Sequence, residues 1–282
     1  MIYLDGRASC DGAAEEWAMF DLQTKAPPAG FDLMMLELPT EDGIPLESNW
    51  HRIEMNLLID SIHYHWRQRS DYFAGGNMFI YFSAEQVRNR DYRGPDVFVV
   101  TDVDGSRERD AWIVWEENGR YPNVIIELAS PSTVDTDLGF KKDLYEQVFR
   151  TTEYFCYNPD GLELLGWRLE AGKYRALEPN AQGWLWSHEI GAWVGAWQGE
   201  VLRVRQTWLR FYGPDGALIP TYAEAEAQRA ATEAQRAATE AQRAATEAQR
   251  AQEAIQRAET AEAEVARLRA LLAARSGTNG QN

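Results

Sequence analysis

The seven-residue unit AQRAATE occurs three times in succession from Ala227 and is followed by AQRAQEA. Alanine returns at 227, 230 and 231, then at 234, 237 and 238. Small residues therefore line one face of an α-helix, a pattern that a strand or loop cannot use. Arg229 to Glu233 is an i,i+4 pair and Glu233 to Arg236 an i,i+3 pair, spacings at which helix side chains meet. Farther on, Ile255, Val265, Leu268, Leu271 and Leu272 make the stripe more apolar. The pattern predicts a helical tail over 223–275 that forms a coiled coil, driving self-association with further copies of the chain or recruiting another protein, and a disordered end over 276–282. A solitary solvated helix is the bland alternative, because alanine buries little surface per contact.

The tail also divides the charge. From Ala223 onward there are 8 Lys/Arg and 9 Asp/Glu, whereas residues 1–222 hold 20 basic and 35 acidic side chains. A body with a balance of −15 repels polyanions at long range unless basic groups cluster or cations bind. That argues against casual nucleic-acid binding but is compatible with a metal site. The two cysteines, Cys10 and Cys156, are far apart and form no CxxC pair, so a reduced, cytoplasmic setting is expected. MIYLDGRASCDG has no signal-peptide pattern, and no uncharged apolar run reaches membrane-spanning length.

Within the body, residues 1–48 read as a loop-rich arm punctuated by PPAG and PTEDG. Residues 49–69 read as a helix whose charged side holds Arg52, Asn56, Asp60, His63 and Arg67, with Glu54 falling among its apolar residues. Strands are expected at 77–83, 96–100, 111–117, 123–129 and 153–158, with a helix over 134–149 and a hairpin turning at 170–173. A core over 49–180 would then be followed by a Trp-rich extension, 181–222, packed back on it. Helix, several strands, helix and strand predict an α/β or α+β layer fold.

Three places carry candidate chemistry. Asp96 stands at a strand mouth behind Pro95, where an Asp is commonly a turn former. Glu127 interrupts the strand NVIIELA, which is apolar on both faces and so belongs in the sheet centre. A buried carboxylate is costly unless neutralised or paired, so a structural partner such as a buried Arg or Lys would also account for it. On the helix after SPST, Lys141 falls near the middle of the apolar arc, with Asp137 one turn earlier on the same side. An inward Lys needs a carboxylate or an anionic ligand, unless it snorkels outward. An Asp at one strand end, a Glu on a neighbouring strand and this Lys can converge at one sheet edge. The two carboxylates would suit Mg²⁺ or Mn²⁺, and the lysine would suit phosphodiester hydrolysis.

The succession GPDVFVV, VIIELASPST and DLGFKKDLYEQVFRTTEYFCYNPDG resembles the Uma-type "putative restriction endonucleases", a branch of the PD-(D/E)XK nuclease superfamily, from about Leu38 to Tyr212. MLELPTEDGIPLESNWHR and GGNMFIYF are similar to members that end in a heptad-rich tail. The resemblance implies a restriction-endonuclease-like core, a mixed sheet flanked by helices, that cleaves DNA. It also implies that Asp96 and Glu127 are metal ligands and that Lys141 is the catalytic lysine. Superfamily members often add a Glu from the first helix; Glu54 is the candidate, with Glu47 and His51 as rivals. Ala129 occupies the position where the superfamily pattern has its lysine. With the acidic body, that departure leaves a second reading, a catalytically degenerate scaffold acting in protein–protein interaction.

Overall fold

The computed structural model describes residues 48–83, 86, 94–159, 161 and 163–278. The arm over 1–47 and the last four residues lie outside the described residues. The chain divides into two compact units at Thr221/Tyr222.

The first unit starts with helix α1 (Asn49–His65), capped by Ser48, whose side chain accepts from the His51 N–H. Arg52 and Asn56 are exposed, while Ile53, Leu57, Leu58, Ser61 and Ile62 are buried, as the wheel predicts. The helix ends at His65, four residues short of the expected end, with Trp66 as its cap. The strands are β1 (Tyr72–Gly75), β2 (Ile80–Tyr81), β3 (Val97–Thr101), β4 (Trp112–Ile113) and β5 (Val124–Leu128). After helix α2 (residues 134–149) come β6 (Glu153–Asn158), β7 (Glu163–Glu170) and β8 (Lys173–Ala176). These give a six-stranded sheet in the order β1-β3-β5-β6-β7-β8. Only β5 and β6 are parallel in it, joined through α2, and the other neighbours are antiparallel.

The hairpin β7–β8 turns at Ala171–Gly172, both with positive φ, which is the geometry a two-residue turn demands. The expected strand 111–117 is cut to two residues. Gly119 N–H donates to the Val114 carbonyl, and Asn118 and Gly119 take positive φ, so the chain turns where alternation alone predicts extension. The strand expected at 77–83 shrinks to β2, and β1 was not expected at all. Gly76 between them is obligatory, since a Cβ there would overlap the Asp96 carbonyl oxygen.

The Trp-rich segment forms its own antiparallel sheet, β9 (Leu185–Ser187), β10 (Ala192–Val201) and β11 (Val204–Tyr212), in the order β11-β10-β9. It shares a core with the large sheet. Val124, Ile126 and Leu128 of β5 belong to the same buried cluster as Leu58 and Ile62 of α1 and Val194, Leu209 and Phe211 of the second sheet. On the other face of β5, Ile125 and Ala129 cluster with Tyr145 and Phe149 of α2. Burying such side chains stabilises the fold by about 1.5–3 kcal/mol each. All five β5 residues are buried, which explains the near-continuous apolar run and makes Glu127 the exception.

The second unit is described by one helix, α3 (Tyr222–Thr278). Its 57 residues correspond to about 85 Å of helix. Ile255, Val265, Leu268, Leu271 and Leu272 are all exposed on it.

Candidate active site

The register that pairs Val97 with Ile126, continued by one residue, sets Asp96 opposite Glu127. Both then project to the α2 face of the sheet, at the carboxyl end of β5. Ligand sites in open α/β sheets commonly lie outside the carboxyl ends of strands. Asp96 Oδ2 accepts from the Leu128 N–H at 2.7 Å, and the Asp96 N–H lies 3.4 Å from Glu127 Oε2. Helix α2 completes the arrangement. Lys141 Nζ lies 3.2 Å from Glu127 Oε2 and 2.7 Å from Asp137 Oδ1, and Tyr145 donates its hydroxyl to Glu127 Oε1 at 2.7 Å.

The helix that delivers these groups is not a uniform α-helix. Val134–Thr136 and Lys142–Leu144 are α-helical turns, and Asp137–Lys141 and Tyr145–Phe149 are π-helical. π-Turns of this kind shift side-chain register locally and recur at functional sites. Here Asp137, Lys141 and Tyr145 are all directed to Glu127 or its lysine.

The charges do not balance. Burial pushes the Glu127 carboxyl up to about 7; Lys141 opposes that rise and Asp96 adds to it. Asp96 is likewise raised, chiefly by burial, against the Leu128 N–H and Lys141. Asp137 is raised by burial and then by Glu127. For Lys141 burial alone would favour the neutral amine, but the Glu127 and Asp137 charges outweigh it and hold the ammonium well above its usual range. The two directions have different causes: burial dominates for the carboxyls, which share one cation, whereas the charges of the carboxylates around Lys141 outweigh its burial.

This excess of negative charge, carried by hard oxygen donors, fits a divalent cation such as Mg²⁺ or Mn²⁺. Among the described residues no three His, Cys, Asp or Glu side chains converge as a metal cage. Two carboxylates suffice for Mg²⁺, which usually keeps several of its waters.

Asp96, Glu127 and Lys141 are thus brought together, but Glu54 is not with them. It lies on α1, against the opposite face of β5, fully buried, with both oxygens 3.1–3.2 Å from the Leu209 N–H of β11. Burial raises its pKa well above the ordinary carboxylate range, opposed by that N–H and by Arg210. Its role is to tie α1 to the second sheet. Glu54→Gln, which keeps the acceptor for Leu209, is expected to leave the response of the Asp96–Glu127 pair to added Mn²⁺ within about twofold of the parent, as measured on purified protein. Glu47 lies outside the described residues. His51 sits close by, with Nε2 2.6 Å from the Leu128 carbonyl oxygen.

Two members were not singled out as site residues from sequence, Asp137 and Tyr145. The i,i+4 spacing of Asp137 and Lys141 on one helix face was the available signal for the first. Tyr145, i,i+4 from Lys141, follows it on the same helix face. Ala129 is fully buried in the core on the α2 side, and Lys141 supplies a cation to Glu127 from the helix.

The Uma2 family profile, described as "Putative restriction endonuclease", matches residues 42–204. The chain belongs to this family. A crystal structure of a "putative nuclease belonging to DUF820" from Anabaena variabilis ATCC 29413 is similar at 16% identity, with a TM-score of 0.38, covering 52% of this chain and 76% of that one. No curated protein matches the chain. Uma2 membership spans α1, the large sheet, α2 and most of the second sheet, and supports nuclease activity. No helix among the described residues is long and apolar enough to cross a membrane.

Proposed function

We propose that this Uma2 protein is a divalent-metal-dependent endonuclease that hydrolyses DNA phosphodiester bonds at the Asp96–Glu127–Lys141 cluster. The observation that carries the reading is the meeting of those three side chains at the carboxyl end of β5. Asp96 and Glu127 would hold Mg²⁺ or Mn²⁺, which, when bound, supplies a water of lowered pKa and positive charge towards the phosphate. Asp96 enters this role with Oδ2 fixed by the Leu128 N–H. Glu127 is oriented by the Tyr145 hydroxyl. Lys141 has three N–H donors and two ion-pair partners, Glu127 and Asp137. With 23% of its side chain exposed, it is placed to give the third to a phosphate oxygen or to the attacking water. The acidic body makes a bound cation doubly useful, because the substrate is itself a polyanion.

One observation favours the scaffold reading: Glu127 is fully buried and both of its oxygens already have partners. Supercoiled plasmid separates the two. The endonuclease nicks it with Mg²⁺ or Mn²⁺ and stops when the ion is chelated, whereas the scaffold leaves it intact under both conditions.

The tail is assigned to self-association through its exposed Ile255–Leu272 stripe. Replacing Leu268 and Leu272 together by Glu is expected to convert the full chain to monomers in sedimentation equilibrium. Unchanged mass would reject the assignment.

A further inference from the structure

At the end of β5, Leu128 has a carbonyl that the cluster above does not use. Ala129 donates its N–H to Tyr157 of β6, so Leu128, one residue earlier, turns its own N–H and C=O towards the β3 side. The residue that the β3–β5 register sets opposite Leu128 is Pro95. Proline has no N–H to give, and the Pro95 carbonyl is already taken by the Asn77 N–H at 3.0 Å. Both backbone groups of Leu128 are therefore completed by side chains. Asp96 accepts from its N–H at 2.7 Å, and His51 Nε2 lies 2.6 Å from its carbonyl oxygen.

His51 is itself held in place. Its Nδ1 lies 3.2 Å from Ser48 Oγ, the cap of α1, and its ring meets Trp50 edge-on at 4.7 Å. A carbonyl can only accept, so Nε2 carries a proton and donates it to Leu128. The imidazole is buried and reaches from α1, on the far face of the sheet, to the residue directly after Glu127.

We propose that His51 is a positioning residue. It locks the Leu128 carbonyl so that the N–H of the same residue holds the Asp96 carboxylate opposite Glu127. The inference rests on the endonuclease reading for its catalytic consequence, but its structural half stands apart from it. Losing the imidazole removes one of two anchors on the peptide that carries the Leu128 carbonyl, the other being the Ala129 N–H on Tyr157, and small misplacements of groups at a reacting centre cost large factors in rate. Partners that only orient ligand groups typically change affinity or activity by about 10–100-fold.

The test uses the full chain with His51→Ala, His51→Gln and Ser48→Ala, read in two ways. In metal-free protein, hydrogen exchange of the Leu128 amide is followed by NMR against the amides of β6. With Mn²⁺, plasmid nicking gives kcat and KM. For His51→Ala the expectation is Leu128 exchange faster by about tenfold or more while β6 is unaffected, and kcat lower by about 10–100-fold with KM nearly constant. His51→Gln, whose amide N–H can replace Nε2–H, restores both to within about threefold. Ser48→Ala, at an exposed cap, gives a smaller change of the same sign. Leu128 exchange at the parent rate in His51→Ala overturns the proposal, and so does a Gln variant as impaired as the Ala variant. If faster exchange in His51→Ala extends to β6, the Ser48→Ala result decides: selective loosening of Leu128 supports the proposal, and none overturns it. A parent chain that nicks no DNA would overturn the endonuclease reading instead, and the exchange data would still decide the role of His51.

Discussion

Glu127→Gln is expected to lower metal-dependent nicking by about 10³-fold, with the far-UV circular dichroism spectrum unchanged. The amide keeps the shape of the side chain and can still accept from the Tyr145 hydroxyl, so the β5–α2 contact survives. What disappears is the charge shared by the proposed cation and Lys141. Lys141→Met acts from the other side. It leaves Glu127 and Asp137 without the cation both of them contact, and Glu127, already raised to about 7, then takes up a proton near neutral pH. Nicking should fall to a similar degree, by about 10²-fold or more. Parent-level nicking in both variants would place the chemistry elsewhere.

Stability of the metal-free chain is expected to fall as the pH rises from 5 to 8. Glu127 has a folded pKa of about 7, above its ordinary value of 4.5, so in that window the folded state binds more protons than the unfolded one. Stability must then decrease with rising pH. Asp96 and Asp137 are shifted in the same direction by burial. The surface groups Asp71, Asp104 and Glu146 are held low by their hydrogen bonds and act oppositely, but at more acidic pH. Urea unfolding at pH 5 and at pH 8, compared between the parent and Glu127→Gln, isolates the one carboxyl. The parent should lose roughly 2–3 kcal/mol more than the variant over this range. Mg²⁺ at pH 8 should recover part of that loss in the parent alone, since binding to the folded state stabilises it. Equal losses in the two proteins would mean that Glu127 is not held near neutral pKa.

The parts of this site that sequence reveals are those governed by local periodicity. Two-residue alternation puts Glu127 in a strand apolar on both faces, and the helical wheel turns Lys141 inward. Their meeting follows from a β5–α2–β6 unit short enough to be read directly. Asp96 is visible because Pro95 marks the strand start. Partners distant in sequence were not legible. Glu54 was visible as a buried charge, but the Leu209 N–H that occupies it lies 155 residues away, in a sheet whose docking no local pattern encodes. The Leu128 carbonyl is 77 residues from His51. Strand β1 was missed because YFAG is four residues long and has no alternation to display. The expected strand at 111–117 failed because Asn118–Gly119 turn the chain and Arg109 draws Glu117 into an ion pair at 2.7 Å.

Calorimetric titration of the metal-free chain with Mn²⁺ tests the central claim most directly, because it asks whether Asp96 and Glu127 form a cation site irrespective of substrate. The prediction is a saturable binding event in the parent and in Glu54→Gln that is lost in both Asp96→Asn and Glu127→Gln. Absence of that event in the parent, or its persistence in both site variants, would contradict the account.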